Sequence, residues 1–103
     1  MDAFAALADP TRRRIVELLS EGERSAGELA SEFPISRPAV SRHLRVLREH
    51  GVVRARERAQ QRLYSLDPVP LAEVDAWLAR YRPFWANRLD ALETELRRRR
   101  REA

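Results

Sequence analysis

Arg37, Ser41, Arg42 and Arg45 fall within the stretch SRPAVSRHLRVLREHG, residues 36–51, at spacings that let a helix present guanidinium and hydroxyl groups from one side. A guanidinium is a planar fork of donors that pairs bidentately with a phosphate or with the acceptor edge of a guanine. The opposite side of the stretch carries Val40, Leu44 and Leu47 at i, i+4, i+7 spacing, which makes a single apolar stripe. Ser36 supplies an N-cap oxygen, Pro38 sits in the first turn where its missing N–H costs little, and Gly51 ends the helix.

A helix of this kind needs a scaffold to hold it. Immediately upstream, Ser25 followed by Glu28 forms a capping box that opens a helix with Ala26, Leu29, Ala30 and Phe33 on one side, and Pro34 stops it. Two amphipathic helices joined only through Pro34-Ile35, the second one basic, describe a helix-turn-helix unit over about residues 25–50. Asp9-Pro10 starts a supporting helix that buries Ile15, Leu18 and Leu19 and ends at Gly22. Residues 2–8 form a shorter helix with Phe4 and Leu7 on one side, too brief to be stable without a docking surface.

After Gly51 the period changes from 3.6 to 2, and Arg54, Arg56 and Arg58 alternate with Val53, Ala55 and Glu57. The pattern predicts a β-hairpin of residues 53–58 and 62–66, a wing over about 53–66. Its tip, Ala59-Gln60-Gln61, lacks the glycine or asparagine of a tight turn and predicts a longer or mobile loop.

Asp67-Pro68 then caps a helical pattern spanning about 69–100. Along it Leu71, Val74, Leu78, Tyr81, Trp85 and Leu92 lie near a heptad seam, widened by Trp77, Phe84, Leu89 and Leu96. Pro83 predicts a kink or two helices end to end. The expected fold is mainly α with a small β-hairpin, a winged helix-turn-helix with a long kinked C-terminal dimerisation helix, forming a single domain over residues 1–103. The stripe is longer than the domain can cover, so a symmetric dimer is expected, with the interface built from Phe4, Leu7, Leu71, Val74, Leu78, Tyr81, Trp85, Leu89 and Leu92. A last helix folded back on its own domain is the competing arrangement.

Composition narrows the chemistry. All 20 basic residues are arginine, and net charge is +4. GC-rich codon usage would explain the absence of lysine but not the placement of the arginines. With no cysteine, disulfides, thiolate metal sites and cysteine nucleophiles are excluded. Two separated histidines, no nucleophile elbow and no phosphate-cradling glycine loop leave no catalytic set, so no enzymatic activity and no cofactor is expected. No signal peptide or long apolar run is visible, and a cytoplasmic, nucleoid-associated protein without membrane partners is expected.

The opening ADPTRRRIVELL, the segment SRPAVSRHLRVLREHGVV and the wing ending RLYSLDP together resemble the ArsR family of bacterial winged-helix repressors, over nearly the whole chain. The segment containing RYRPFW is similar to a subgroup lacking the thiolate metal site. The resemblance implies a dimer interface made by the first and last helices. Metal sensors of that family carry cysteines in the third helix or histidines and carboxylates on the last. Here SAGELASEF holds no thiol and no histidine occurs between Leu71 and Arg99, so no metal is expected.

His43 is then expected to pack beside the apolar stripe with a ring nitrogen on a backbone or phosphate oxygen, and His50 to complement the helix dipole when protonated. Arg97 to Arg101 read as a solvated helix end with Glu93–Arg97 and Glu95–Arg99 pairs. The partner expected is double-stranded DNA bearing a palindromic operator. Ser36, Arg37, Pro38, Ser41, Arg42 and Arg45 would meet bases or flanking phosphates, and Arg54, Arg56, Arg58, Gln60 and Arg62 would hold the wing to the backbone or minor groove. A winged helix serving only protein interaction, and a regulator whose apolar ligand sits among Trp77, Tyr81, Phe84 and Trp85, are the alternatives.

Overall fold

Side-chain caps open each helix where the sequence places one. In the computed structural model, which describes residues 2–102, the elements run α1 (Ala3–Ala6), α2 (Pro10–Leu19), β1 (Arg24–Ser25), α3 (Ala26–Ala30), α4 (Arg37–Glu49), β2 (Val53–Arg58), β3 (Gln61–Leu66) and α5 (Pro68–Glu102). Asp9 accepts from the Arg12 N–H at 3.0 Å, Ser36 from Ala39 at 3.3 Å and Asp67 from Val69 at 3.0 Å. Ser25 and Glu28 exchange both bonds of a capping box, at 3.0 and 3.1 Å. Gly51, at φ +74°, ends α4: its N–H reaches the Arg48 carbonyl and the Val52 N–H reaches Leu47, the two bonds of a Schellman motif.

The core is one cluster. Ile15, Leu18 and Leu19 of α2, Leu29 of α3 and Val40, Leu44 and Leu47 of α4 meet Val52, Val53 and Tyr64 of the wing. The apolar stripe of α4 is thus fully buried, which fixes its arginines on the outside. Among the described residues no buried polar side-chain atom lacks a hydrogen-bond partner.

Several boundaries differ from expectation. The sheet has three strands in the order β1-β3-β2, all antiparallel, because Arg24 and Ser25 pair with Tyr64 and Leu63. The wing tip is tight, with Arg58 directly opposite Gln61 and Ala59 at φ +55° in the left-handed region. A positive φ at the first of two loop residues is the conformation for which glycine is preferred; alanine tolerates it here at a cost. Helix α3 stops at Ala30 rather than running to Pro34: Glu32 and Phe33 bond back three residues, to Leu29 and Ala30, tightening the chain out of the α-helix. Phe33 nonetheless packs on the core, and residues 31–36, not Pro34-Ile35 alone, connect α3 to α4.

Helix α1 buries Ala3 and Ala6, while Phe4 stays largely exposed and meets Trp77 edge to face at 5.3 Å. Helix α5 is one continuous helix through Pro83, not two. A proline removes only the one N–H that would bond back to Ala79, and solvent can take up that exposed carbonyl. No residue of α5 is fully buried, and Leu71 and Val74, read as dimer contacts, pack on the domain's own core. Beyond them Phe84 is 72% exposed and Leu89 and Leu92 are each 56% exposed.

Candidate nucleic-acid interface

The outer face of α4 and the inner face of the wing enclose an open groove of about 470 Å³. Pro38, Ser41, Arg45 and Arg48 line it at i, i+3, i+7 and i+10, one side of the helix, with Arg42 beside them; Arg62 and Tyr64 of β3 form the facing wall. Arg37 points elsewhere. It lines a second open concavity, with Ser25 to Glu28 of α3 and Gln60, Gln61 and Arg62 of the wing tip, so Arg62 borders both. Of the sequence-predicted set, Arg37, Pro38, Ser41, Arg42, Arg45, Gln60 and Arg62 line these two adjoining hollows, and Ser36, Arg54, Arg56 and Arg58 line neither. Ser36 spends its hydroxyl oxygen on the Ala39 N–H as an N-cap.

The wing arginines do not share a face. Pairing of Ala55 with Tyr64 and Glu57 with Arg62 places Arg62 on the side facing α4. Arg54, Arg56 and Arg58, opposite Ser65, Leu63 and Gln61, lie on the other side. Two of them are held by the protein itself. Arg56 donates through Nε and Nη2 to both oxygens of Glu23, at 2.8 and 2.7 Å, and Arg54 lies 3.2 Å from Asp67. Hydrogen bonding to Arg56 holds the Glu23 carboxyl below its ordinary pKa and raises the guanidinium in turn. Asp67 is lowered chiefly by the Val69 N–H, with Arg54 adding to it. Among the described residues, Arg37, Arg42, Arg45, Arg48, Arg58 and Arg62 form no ion pair. Unpaired guanidiniums thus line α4, the inner wing and the wing tip, while Arg80, Arg82, Arg88, Arg100 and Arg101 of α5 likewise form no ion pair among the described residues.

Other arginines are structural. Arg12 donates to the carbonyls of Ala6, at 2.6 Å, and Ala5, at 3.3 Å, and Arg13 to Leu7 at 2.9 Å, closing the C-terminal end of α1. Arg98 and Arg99 pair with Glu95 at 2.7 and 3.1 Å, and Arg97 pairs with Glu93. His43 Nδ1 sits 3.8 Å from Asp9, the α2 cap, rather than on a backbone oxygen. His50 Nδ1 accepts the Asp2 N–H at 2.9 Å, which tethers the start of α1 to the end of α4.

Arg48 and Tyr64 are the groove residues that sequence reasoning missed. Arg48 was legible in the spacing, three residues past Arg45 and seven past Ser41; Tyr64 was not, because its place depends on strand register. Among the described residues no group of three or more histidine, aspartate or glutamate side chains gathers in a metal-binding arrangement. No helix among them is long and apolar enough to cross a membrane.

Comparison with known proteins agrees with this geometry. Residues 9–55, from the α2 cap into β2, match the family model described as "Bacterial regulatory protein, arsR family". The chain is 48% identical over 87 residues to the HTH-type transcriptional regulator Rv2034 of Mycobacterium tuberculosis, covering 84% of this chain and 78% of that one. It is 36% identical over 80 residues to the transcriptional repressor SdpR of Bacillus subtilis, covering 78% and 89%. A crystal structure of a "possible transcriptional regulator for arsenical resistance" superposes with a TM-score of 0.75 at 44% identity, over 92% of this chain and 96% of that one. The chain, with its buried-back, arginine-fronted α4 and its wing, belongs to the ArsR family of bacterial regulatory proteins and is a DNA-binding transcriptional regulator.

Proposed function

We propose that the protein acts as a homodimeric repressor on a two-fold symmetric operator, with residues 1–103 working as one unit. The observation that carries this reading is the set of unpaired guanidiniums gathered on α4 and the wing. Ser41, Arg42 and Arg45, with Pro38 alongside, read base edges in the major groove. Arg37, Arg58, Gln60 and Arg62 contact the sugar-phosphate backbone or minor groove. Arg54 and Arg56 leave the contact set proposed from sequence, because Asp67 and Glu23 hold them.

Dimerisation uses α1 and α5, through Phe4, Leu7, Leu78, Tyr81, Leu89, Leu92 and the half-buried Trp85, with Leu71 and Val74 supporting from the core side. A pair of such molecules presents two copies of α4, which suits a palindromic site. The absence of cysteine argues against a thiolate-bound arsenical or metal effector, whatever relatives sense. The protein performs no catalysis and works in the cytoplasm at the nucleoid.

The test is fluorescence anisotropy of the protein with its own upstream DNA and with a scrambled duplex. Arg42→Ala and Arg45→Ala should each cost roughly 1–3 kcal/mol on the operator and relax its preference over scrambled DNA. Equal affinity of the unaltered protein for both duplexes would overturn sequence-specific binding. Zinc, arsenite and chelator should each move affinity by less than tenfold, about 1.4 kcal/mol.

A further inference from the structure

The groove between α4 and β3 is walled by guanidiniums from two different elements, Arg48 near the end of α4 and Arg62 on the strand facing it, and among the described residues neither has a carboxylate partner. Tyr64, buried in the core cluster, also lines the groove and anchors that stretch of β3. An open hollow of about 470 Å³ with arginines on both walls suits a compact oxyanion better than an apolar ligand.

The duplex supplies one at this place. With α4 in the major groove and the wing in the neighbouring minor groove, the single phosphate ridge that separates the two must cross the space between helix and strand. Resting on the DNA-binding reading, we propose that Arg48 and Arg62 clamp one and the same backbone phosphate of that ridge from opposite sides. The clamp locks the spacing between recognition helix and wing onto the DNA backbone, and it carries no base information.

A shared phosphate has a signature that separate contacts lack. The salt dependence of binding counts phosphates neutralised, about 0.9 in the slope of log affinity against log salt for each. If Arg48 and Arg62 share one phosphate, either remaining arginine still neutralises it. Arg48→Ala and Arg62→Ala should then each weaken binding with little change in slope, whereas the double variant should lose about 0.9. The preference for operator over scrambled duplex should be unchanged in all three. Both side chains project from the surface, and circular dichroism of each variant should match that of the unaltered protein.

Slope losses of about 0.9 in each single variant and about 1.8 in the double would overturn the clamp in favour of two separate phosphates. A double variant with an unchanged slope would remove the groove from the backbone contact altogether. In both cases a retained operator preference, relaxed by Arg42→Ala, would leave the DNA-binding reading standing. An unaltered protein that binds neither duplex would overturn clamp and reading together.

Discussion

Arg56 and Arg58 occupy equivalent positions in the alternation of β2, yet replacing them should have different consequences. Both project from the outer face of the wing, but Arg56 commits Nε and Nη2 to the two oxygens of Glu23, whereas Arg58 has no ion-pair partner among the described residues. A phosphate contact adds about 0.9 to the salt slope, so the fourfold change from about 50 to 200 mM salt weakens each contact by roughly 3.5-fold. Arg58→Ala should therefore flatten the slope by about 0.9 on operator and scrambled duplex alike. Arg56→Ala should leave it within about 0.2 of the original, because no phosphate is lost. Glu23→Gln, by releasing Arg56, should steepen the slope and raise affinity for scrambled DNA. Anisotropy titrations at several salt concentrations measure all three variants. Equal slope losses for Arg56→Ala and Arg58→Ala would refute the division of the wing into a self-paired half and a DNA-facing half.

Ala59→Gly should stabilise the protein by roughly 0.5–1 kcal/mol, the relief of a left-handed alanine less the added backbone entropy of glycine, and raise the melting temperature by a few degrees. Trp85→Glu should convert a dimer into a monomer in sedimentation velocity and abolish operator binding, since it sets a charge at a half-buried position between the exposed Tyr81 and Leu89 of the α5 stripe. Acid should destabilise the fold in a defined window. Asp9, Glu23, Glu28, Asp67 and Glu95 are all held below their ordinary values of 3.8 for aspartate and 4.5 for glutamate, by the Arg12 N–H, Arg56, the Ser25 N–H, the Val69 N–H and the Arg98 and Arg99 guanidiniums in turn. Depressed carboxylates contribute fully above those ordinary values and lose their contribution as pH falls through the lowered ones, so the carboxylate share of the denaturant midpoint should be constant from pH 7 to about 5 and fall below about 4.

What could be read from sequence is what neighbours in sequence determine. Caps at Asp9, Ser25, Ser36 and Asp67 and the stripe Val40, Leu44 and Leu47 are decided within one or two helical turns, and they appear where expected. Strand β1 has no pattern of its own; Arg24 and Ser25 become a strand only because the free edge of β3 lies beside them. The same distance in sequence hid the Arg56–Glu23 pair, since nothing local distinguishes Arg56 from Arg58. The Asp2 N–H that meets His50 was hidden for the same reason, lying 48 residues away in the chain.

The tethering of α1 bears on how the chain is made. Four residues cannot hold a helix alone; this one is secured by Arg12 and Arg13 from α2, by His50 from the end of α4 and by Trp77 from α5. At synthesis rates of about 5–20 residues per second, Trp77 leaves the ribosome tunnel roughly 4–14 seconds after Ala6. During that interval Phe4 lacks its Trp77 neighbour, and α1 has no complete seat. Locking of α1 is thus a late folding event, and the nascent chain carries a nearly formed reading head before α5 is complete.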